Sequence, residues 1–361
     1  MVAGPVAAPD NAGGMIPKPL KARQIPDWQR ALQDSFTRPQ DLLDHLGLRG
    51  RVPLPPARIP PPFPLRVPRA FVERMRPGDP DDPLFLQVWP RAAEAEAVPG
   101  FEPDAVGDLA RLHGEGLIHK YQGRALVIAT GACAVHCRYC FRQHFPYGEQ
   151  RAARDGWRAL LDRIAADPSL EEIILSGGDP LSLADDKLAA LVAGLEAIPH
   201  VRRLRLHTRQ PVVLPERVDA GLLAWMTATR LQTVVVLHIN HPQEIDEALR
   251  SAIGRLRETG ATLLNQSVLL RGINDRAAVL QALSEALFAC GVLPYYLHLL
   301  DRVAGAAHFE VPEDEALRLM QQLSASLPGY LVPRLAREEA GQPAKTTLAW
   351  TPIPPSIPSS P

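Results

Sequence analysis

Cys133-Ala-Val-His-Cys-Arg-Tyr-Cys-Phe-Arg-Gln-His-Phe-Pro-Tyr147 holds three of the four cysteines of the chain, Cys133, Cys137 and Cys140, in a C-x3-C-x2-C pattern. Thiols packed this closely meet at one centre. Soft thiolates select zinc or an iron–sulfur cluster. A structural zinc site closes with four ligands, so it needs His136 or His144 beside the cysteines. A cubane cluster on three cysteines leaves one iron without a protein ligand, open to a small molecule. A disulfide role does not fit, because nothing in the sequence places the chain in an oxidising compartment.

Just before this stretch, 125–130 (Ala-Leu-Val-Ile-Ala-Thr) reads as a buried strand. Similar runs recur at 171–176, 201–208, 232–239, 262–269 and 292–299, each followed by a helical pattern. Ile245, Leu249, Ile253 and Leu256 form one such pattern, and Val279, Leu283 and Leu287, ending at Gly291, another. Repeated β-α units imply a parallel sheet with helices outside, either doubly wound or a barrel. No G-x-G-x-x-G phosphate turn follows the first strand, which argues against the dinucleotide fold. Six units are too few to close a barrel of about eight strands. The prediction is an α/β chain whose core, residues 116–328, is an open (βα)6 partial barrel with the cysteine loop after its first strand.

The 361 residues fit one barrel of about 200 to 250 residues with extensions. Of the 37 prolines, 19 lie in the first 100 residues and exclude long helices there. Residues 1–20 are predicted to be a disordered tail, 21–115 a helical, proline-rich wrap, 329–350 a C-terminal segment and 351–361 a proline-rich tail. Within the wrap, Trp28, Leu32, Phe36, Leu42, Leu43 and Leu46 predict two short amphipathic helices separated at Pro39. A net charge of −1 gives no long-range field for nucleic acid or anionic lipid. The first 20 residues lack an apolar signal region and no run of about 18 apolar residues follows, so a soluble, cytoplasmic protein is expected.

Active sites of such barrels gather at the C-terminal strand ends. Every predicted strand ends in polar residues: Ser176-Gly177-Gly178-Asp179, His207-Thr208-Arg209, His238-Ile239-Asn240-His241, Asn265-Gln266-Ser267, and His298 with Asp301. Any one alone reads as a cap or a satisfied core group; together they read as a site. Lys345, in the loop Gly341-Gln342-Pro343-Ala344-Lys345, reads on its own as a solvated lysine.

The cysteine pattern, with the aromatic Tyr139 just before its last cysteine, resembles the radical S-adenosylmethionine signature. That resemblance implies a 4Fe–4S cluster on Cys133, Cys137 and Cys140, with S-adenosylmethionine chelated by the open iron and cleaved to a 5'-deoxyadenosyl radical. It also implies that Gly177, Gly178 and Asp179 match the element that binds the methionine amino group. Over residues 63–348 the chain is similar to the lysine 2,3-aminomutases, through Leu65 to Arg69, Asp81 to Leu84, His119-Lys120-Tyr121, Leu263 to Leu270, Pro294 to His298, Ala306 to Phe309 and Tyr330 to Glu338. The likeness is strongest to the branch that makes β-lysine for elongation factor P.

This second resemblance implies an isomerase that moves the α-amino group of lysine to the β carbon, giving β-lysine (R expected), with pyridoxal 5'-phosphate as carrier. Residue by residue, Lys345 matches the lysine that holds the pyridoxal cofactor, and Arg142 the arginine that clamps the substrate carboxylate. Lys120, Tyr121 and Arg124 match the set around the cofactor phosphate, and His238 and Gln266 match residues near S-adenosylmethionine. Asp301 and Glu338 match the two acids that receive the substrate's ε-ammonium; Glu338 stands where free-lysine enzymes carry aspartate. Implied partners are a lysine ligase, elongation factor P and an electron donor such as flavodoxin or ferredoxin. A free-lysine mutase of catabolism or osmolyte synthesis is the alternative enzyme, and a zinc-stabilised scaffold the alternative outside enzymes. Arg276 stands where the clostridial enzymes carry a zinc cysteine, so no interfacial zinc is expected and Cys290 reads as core.

Overall fold

The computed structural model of the chain describes residues 1, 25–55, 64–114, 116–149 and 156–349. Ten strands lie side by side in chain order in one sheet. They are β1 (Leu112–His113), β2 (Leu117–Tyr121), β3 (Arg124–Thr130), β4 (Glu172–Gly177), β5 (Arg203–Thr208), β6 (Gln232–His238), β7 (Thr262–Val268), β8 (Leu293–His298), β9 (Arg334–Arg337) and β10 (Thr346–Thr347). From β3 to β8 every neighbour is parallel, as the six predicted strands require. Among the described residues no ladder joins β1 to β10, so the barrel stays open.

The sheet runs across both predicted core boundaries. β1 and β2 add an antiparallel edge ahead of β3, β9 extends the parallel run, and β10 returns antiparallel to β9. These strands escape a sequence reading because two of them are two-residue pairs and β9 has only four residues. Pairing with an existing sheet edge makes them strands, not internal periodicity.

Alternation along the strands fixes what faces the lumen. Ala125, Val127, Ile173, Leu175, Leu204, Leu206, Val235 and Leu237 join the hydrophobic cluster with the helices. The other parity, Leu126, Ile174, Arg205, His207, His238 and Gln266, borders an internal cavity. Helix Glu247–Glu258 presents Leu249, Ile253 and Leu256 to the sheet. Helix Ala277–Ala289 is followed by Gly291 at φ +78°, the left-handed position that glycine takes at a helix end.

In the wrap, the two predicted helices are Asp27–Gln33 and Pro39–His45, and Pro39 opens the second by occupying its first turn. Trp28, Leu42, Leu43, Phe71, Leu84 and Trp89 share one buried cluster with Ala134, Val135 and Tyr139 of the cysteine loop. The wrap also bonds that loop directly, through His136 N to Arg66 O (3.1 Å) and Arg138 N to Gln87 O (2.9 Å). The Arg138 guanidinium forms a buried pair with Glu94. The proline-rich segment is therefore a clamp on the loop that carries the cysteines. The predicted tails at 1–20 and 351–361 lie outside the described residues, apart from Met1. Among the described residues no helix is long and apolar enough to cross a membrane.

Candidate active site

The lumen is one cavity of about 510 Å³, and every predicted site residue lines it. Cys133, Cys137 and Cys140 stand at the C-terminal strand ends, while Tyr121 and Arg124 sit at the opposite end, where β2 pairs with β3. The cavity thus runs the height of the sheet, which in closed barrels is filled by layers of side chains.

Among the described residues no three His, Cys, Asp or Glu side chains gather tightly enough to ligate one metal ion. The rings that zinc would use are turned to carbonyls, His136 Nδ1 to Pro64 O (2.6 Å) and His144 Nε2 to Ala304 O (2.9 Å). A cubane asks for a different arrangement, since each thiolate binds its own iron and the sulfurs ring the cluster. Burial, and then the neighbouring Cys137, pushes Cys140 up to about 12, and burial drives Cys133 up as well. Buried thiols that repel one another once ionised suit a cationic cluster that holds them as thiolates.

A chain of charges crosses the cavity wall. Arg142 Nε donates to Asp108 Oδ2 (2.6 Å) and Nη1 to Ser176 Oγ (3.1 Å), leaving Nη2 without a hydrogen bond among the described residues. Lys120 Nζ reaches Asp108 Oδ1 (2.5 Å), Glu338 Oε1 (2.8 Å) and Val106 O (2.8 Å). Lys345 Nζ donates to Glu338 Oε2 (2.7 Å). Burial alone would raise the Glu338 carboxyl, but Lys345 and Lys120 pull it down to about 2. In this structure Glu338 bridges two lysines, and Lys120 has all three donors engaged.

Asp108, which the sequence reading missed, is the buried hinge of this chain. It lies in a loop without periodicity and belongs to no motif, so only the fold brings it to Arg142. Asp108→Asn would leave both cations short of a counter-charge. It should raise KM for the substrate held by Arg142 about tenfold, or ~1.4 kcal/mol, with iron content unchanged; steady-state kinetics beside iron analysis check both.

At the far end Arg124 packs over the Tyr121 ring at 4.7 Å, and its side chain makes no hydrogen bond among the described residues. Arg205 is held by Glu172 through two nitrogens. His207 Nε2 is buried without a partner. A free guanidinium, an orphaned imidazole nitrogen and a nearby lysine amine form a donor set that suits a phosphorylated aldehyde such as pyridoxal 5'-phosphate.

Asp301 lines the same cavity and its carboxylate makes no hydrogen bond or ion pair with the described residues. Burial, opposed by Lys345 and Lys120 and reinforced by Glu338 and Asp108, brings it to about 7. It is an acceptor without a donor.

Other strand-end residues divide by parity. Gln266 faces the cavity, whereas Asn265 and Ser267 bond the Ile239 backbone. His238 stacks on Tyr139 with Nε2 3.2 Å from its hydroxyl, and burial, aided by Arg209, lowers the imidazole to about 3. Asp179 accepts from Leu181 N, Thr208 Oγ1, Arg209 N and Gln210 N at 2.7–3.0 Å. Both its oxygens thus fix the turn, a role compatible with the expected ligand contact of the Gly177-Gly178-Asp179 element, which lines the cavity. The glycines likewise serve the fold. A Cβ on Gly178 would meet Ala132 O at 2.4 Å, and one on Gly177, at φ +118°, Thr130 O at 2.5 Å. They let the end of β4 reach the cysteine loop, where Gly178 N and Asp179 N bond Thr130 O and Ala132 O. Cys290 is buried and accepts from Arg250 Nη1 (3.3 Å).

No protein-family model matches the chain. It is 49% identical to the L-lysine 2,3-aminomutase of Escherichia coli strain K12 over 323 residues, covering 89% of this chain and 94% of that protein. It is 45% identical to the L-lysine 2,3-aminomutase of Haemophilus influenzae, with coverage of 93% and 99%. The L-lysine 2,3-aminomutase of Clostridium subterminale is 32% identical over 77% of this chain and 67% of that protein. Among solved structures, a radical SAM methyltransferase from Sphaerobacter thermophilus superposes with a TM-score of 0.43 and 19% identity, covering 61% of this chain and 68% of that one. With near-complete coverage at close to half identity, the chain belongs to the radical S-adenosylmethionine lysine 2,3-aminomutase family of isomerases.

Proposed function

We propose that the protein converts L-α-lysine to β-lysine, and that this β-lysine is destined for attachment to elongation factor P by a lysine ligase, in the cytoplasm. The observation that carries the reading is the pair of groups that line one cavity unpaired among the described residues, Asp301 without a donor and Arg142 with its Nη2 free of a hydrogen bond. A molecule with a carboxylate at one end and an ammonium at the other satisfies both, and burying either charge unpaired would be strongly disfavoured.

A 4Fe–4S cluster with S-adenosylmethionine supplies, when reduced by a donor such as flavodoxin or ferredoxin, a carbon radical for an unactivated C–H bond, and pyridoxal 5'-phosphate supplies the carrier for the amino group. The chain's own residues bind and orient. Cys133, Cys137 and Cys140 would hold the cluster, and Gln266 and His238, which line the same cavity, would contact S-adenosylmethionine. Arg142 Nη2 takes the substrate carboxylate, while Asp108 keeps the guanidinium from turning. Tyr121 and Arg124 hold the phosphate end. Lys345, paired with Glu338 at 2.7 Å, must leave that pair before its nitrogen can act as a nucleophile. His238, kept neutral by burial, orients without adding a charge.

Since Asp301 binds the ammonium only when ionised, protons compete with lysine. kcat/KM for lysine should be level above about pH 7 and fall about tenfold per pH unit below it. A pH profile of kcat/KM checks this, and Asp301→Asn should flatten that limb.

The reading is tested by anaerobic incubation with lysine, S-adenosylmethionine, pyridoxal phosphate and dithionite, followed by chiral chromatography. Absence of β-lysine from cluster-loaded enzyme would refute it. Adding ligase and elongation factor P, with intact-mass analysis of the factor, tests the destination; a factor that gains no β-lysyl group points to free-lysine metabolism.

A further inference from the structure

We infer that Arg209 is a positioning residue for the cluster ligand Cys137, donating a charged hydrogen bond to its sulfur and thereby raising the reduction potential of the bound cluster. The inference rests on the reading of Cys133, Cys137 and Cys140 as cluster ligands. Arg209 follows the end of β5, and its Nη1 lies 2.8 Å from Cys137 Sγ. Among the described residues no other guanidinium or ammonium donates a hydrogen bond to any of the three sulfurs.

The contact is built, not incidental. The same Nη1 lies 2.5 Å from Tyr139 Oη, and Nη2 donates to Gln87 Oε1 (2.7 Å) and Glu244 Oε2 (3.0 Å). Its backbone N is fixed by Asp179 Oδ2 at 2.7 Å. Glu244 in turn is wholly buried and accepts Asn240 N (2.9 Å), His241 N (3.1 Å) and Gln87 Nε2 (3.2 Å). Asn240 Nδ2 closes the network on Tyr139 Oη (2.7 Å) and Gln87 Oε1 (3.0 Å).

Arg209 Nε is meanwhile buried without a partner. A guanidinium aimed only at stability would rotate to satisfy that donor. Here the terminal nitrogens dictate the orientation, and the orientation puts a positive charge on Cys137 Sγ. Hydrogen bonds and positive charge at a ligating sulfur stabilise the more negative, reduced cluster, so they raise its potential. Glu244 tempers the effect by neutralising part of the charge.

The test is a redox titration of the anaerobically loaded full-length enzyme, followed by electron paramagnetic resonance. One electron from dithionite takes the cluster from the 2+ to the 1+ level. At unchanged iron and sulfide content, Arg209→Gln should make this reduction at least about tenfold less favourable, a drop of about 59 mV for one electron. Because that variant leaves Glu244 buried and unpaired, the double variant Arg209→Gln with Glu244→Gln is the safer arm, and it should also fall. Glu244→Gln alone keeps the guanidinium and removes its counter-charge, so its potential should rise. A merely structural Arg209 would change cluster content or melting temperature but not the potential of the clusters that remain. A wild-type potential in the double variant at full occupancy overturns the inference. So does an unmoved potential in Glu244→Gln, which decides the matter if the Arg209 variants do not fold. Wild-type enzyme that takes up no iron and sulfide would instead refute the cluster reading itself.

Discussion

Lys345→Ala should yield a protein that keeps its iron–sulfur absorbance, fails to retain pyridoxal phosphate, and turns over lysine slower by about three orders of magnitude or more. Two lysines line the cavity, Lys120 and Lys345. Lys120 has its three donors engaged by Asp108, Glu338 and Val106 O, so freeing it would strip both acids of a partner. Lys345 has one partner among the described residues, Glu338, and sits on the connection between β9 and β10, just before β10. Borohydride reduction of the cofactor-loaded protein, followed by peptide mapping, should place the pyridoxyl group on Lys345. Finding it on Lys120 would reverse the assignment and make Lys345 the phosphate-side cation.

How much of this was legible in the sequence depended on whether a feature is local. The strand at 232–239 is announced by its Val-Val-Val-Leu run, and the structure places it at Gln232–His238. The cysteine loop follows from spacing alone. Pairings between distant segments are another matter. Nothing near Asp108 marks it as the partner of Arg142, 34 residues on, and nothing near Glu338 shows that it faces Lys120, 218 residues away. Gly178 carries a packing constraint that its sequence context does not announce: the cysteine loop approaches it, with Gly131 and Ala132 where a Cβ would go. Arg209 and Asn240 were visible only as polar strand ends; their common target, Tyr139, emerges when β5, β6 and the loop are seen together.

Specificity should rest most heavily on Asp301. Asp301→Asn should lower kcat/KM for lysine by two to three orders of magnitude, since removing one partner of a buried ion pair costs about 3 to 5 kcal/mol. The argument is one of availability. Both acids face the cavity, but Glu338 already neutralises Lys120 and Lys345, and its low pKa of about 2 reflects that pairing. Asp301 has no such partner and stands at about 7, the mark of a buried carboxyl waiting for a cation. An incoming ε-ammonium therefore gains more at Asp301 than it could at Glu338 without displacing a lysine. Iron content and pyridoxal retention should survive the substitution, because Asp301 contacts neither the cysteines nor Lys345 through a hydrogen bond. Discrimination against norleucine, which lacks the terminal ammonium, should shrink, because rejection of such an analogue depends on a polar group it leaves unpaired. If Asp301→Asn retains wild-type selectivity for lysine over norleucine while Glu338→Gln loses it, the ammonium displaces Lys120 or Lys345 at Glu338, and Asp301 serves only the electrostatics of the cavity.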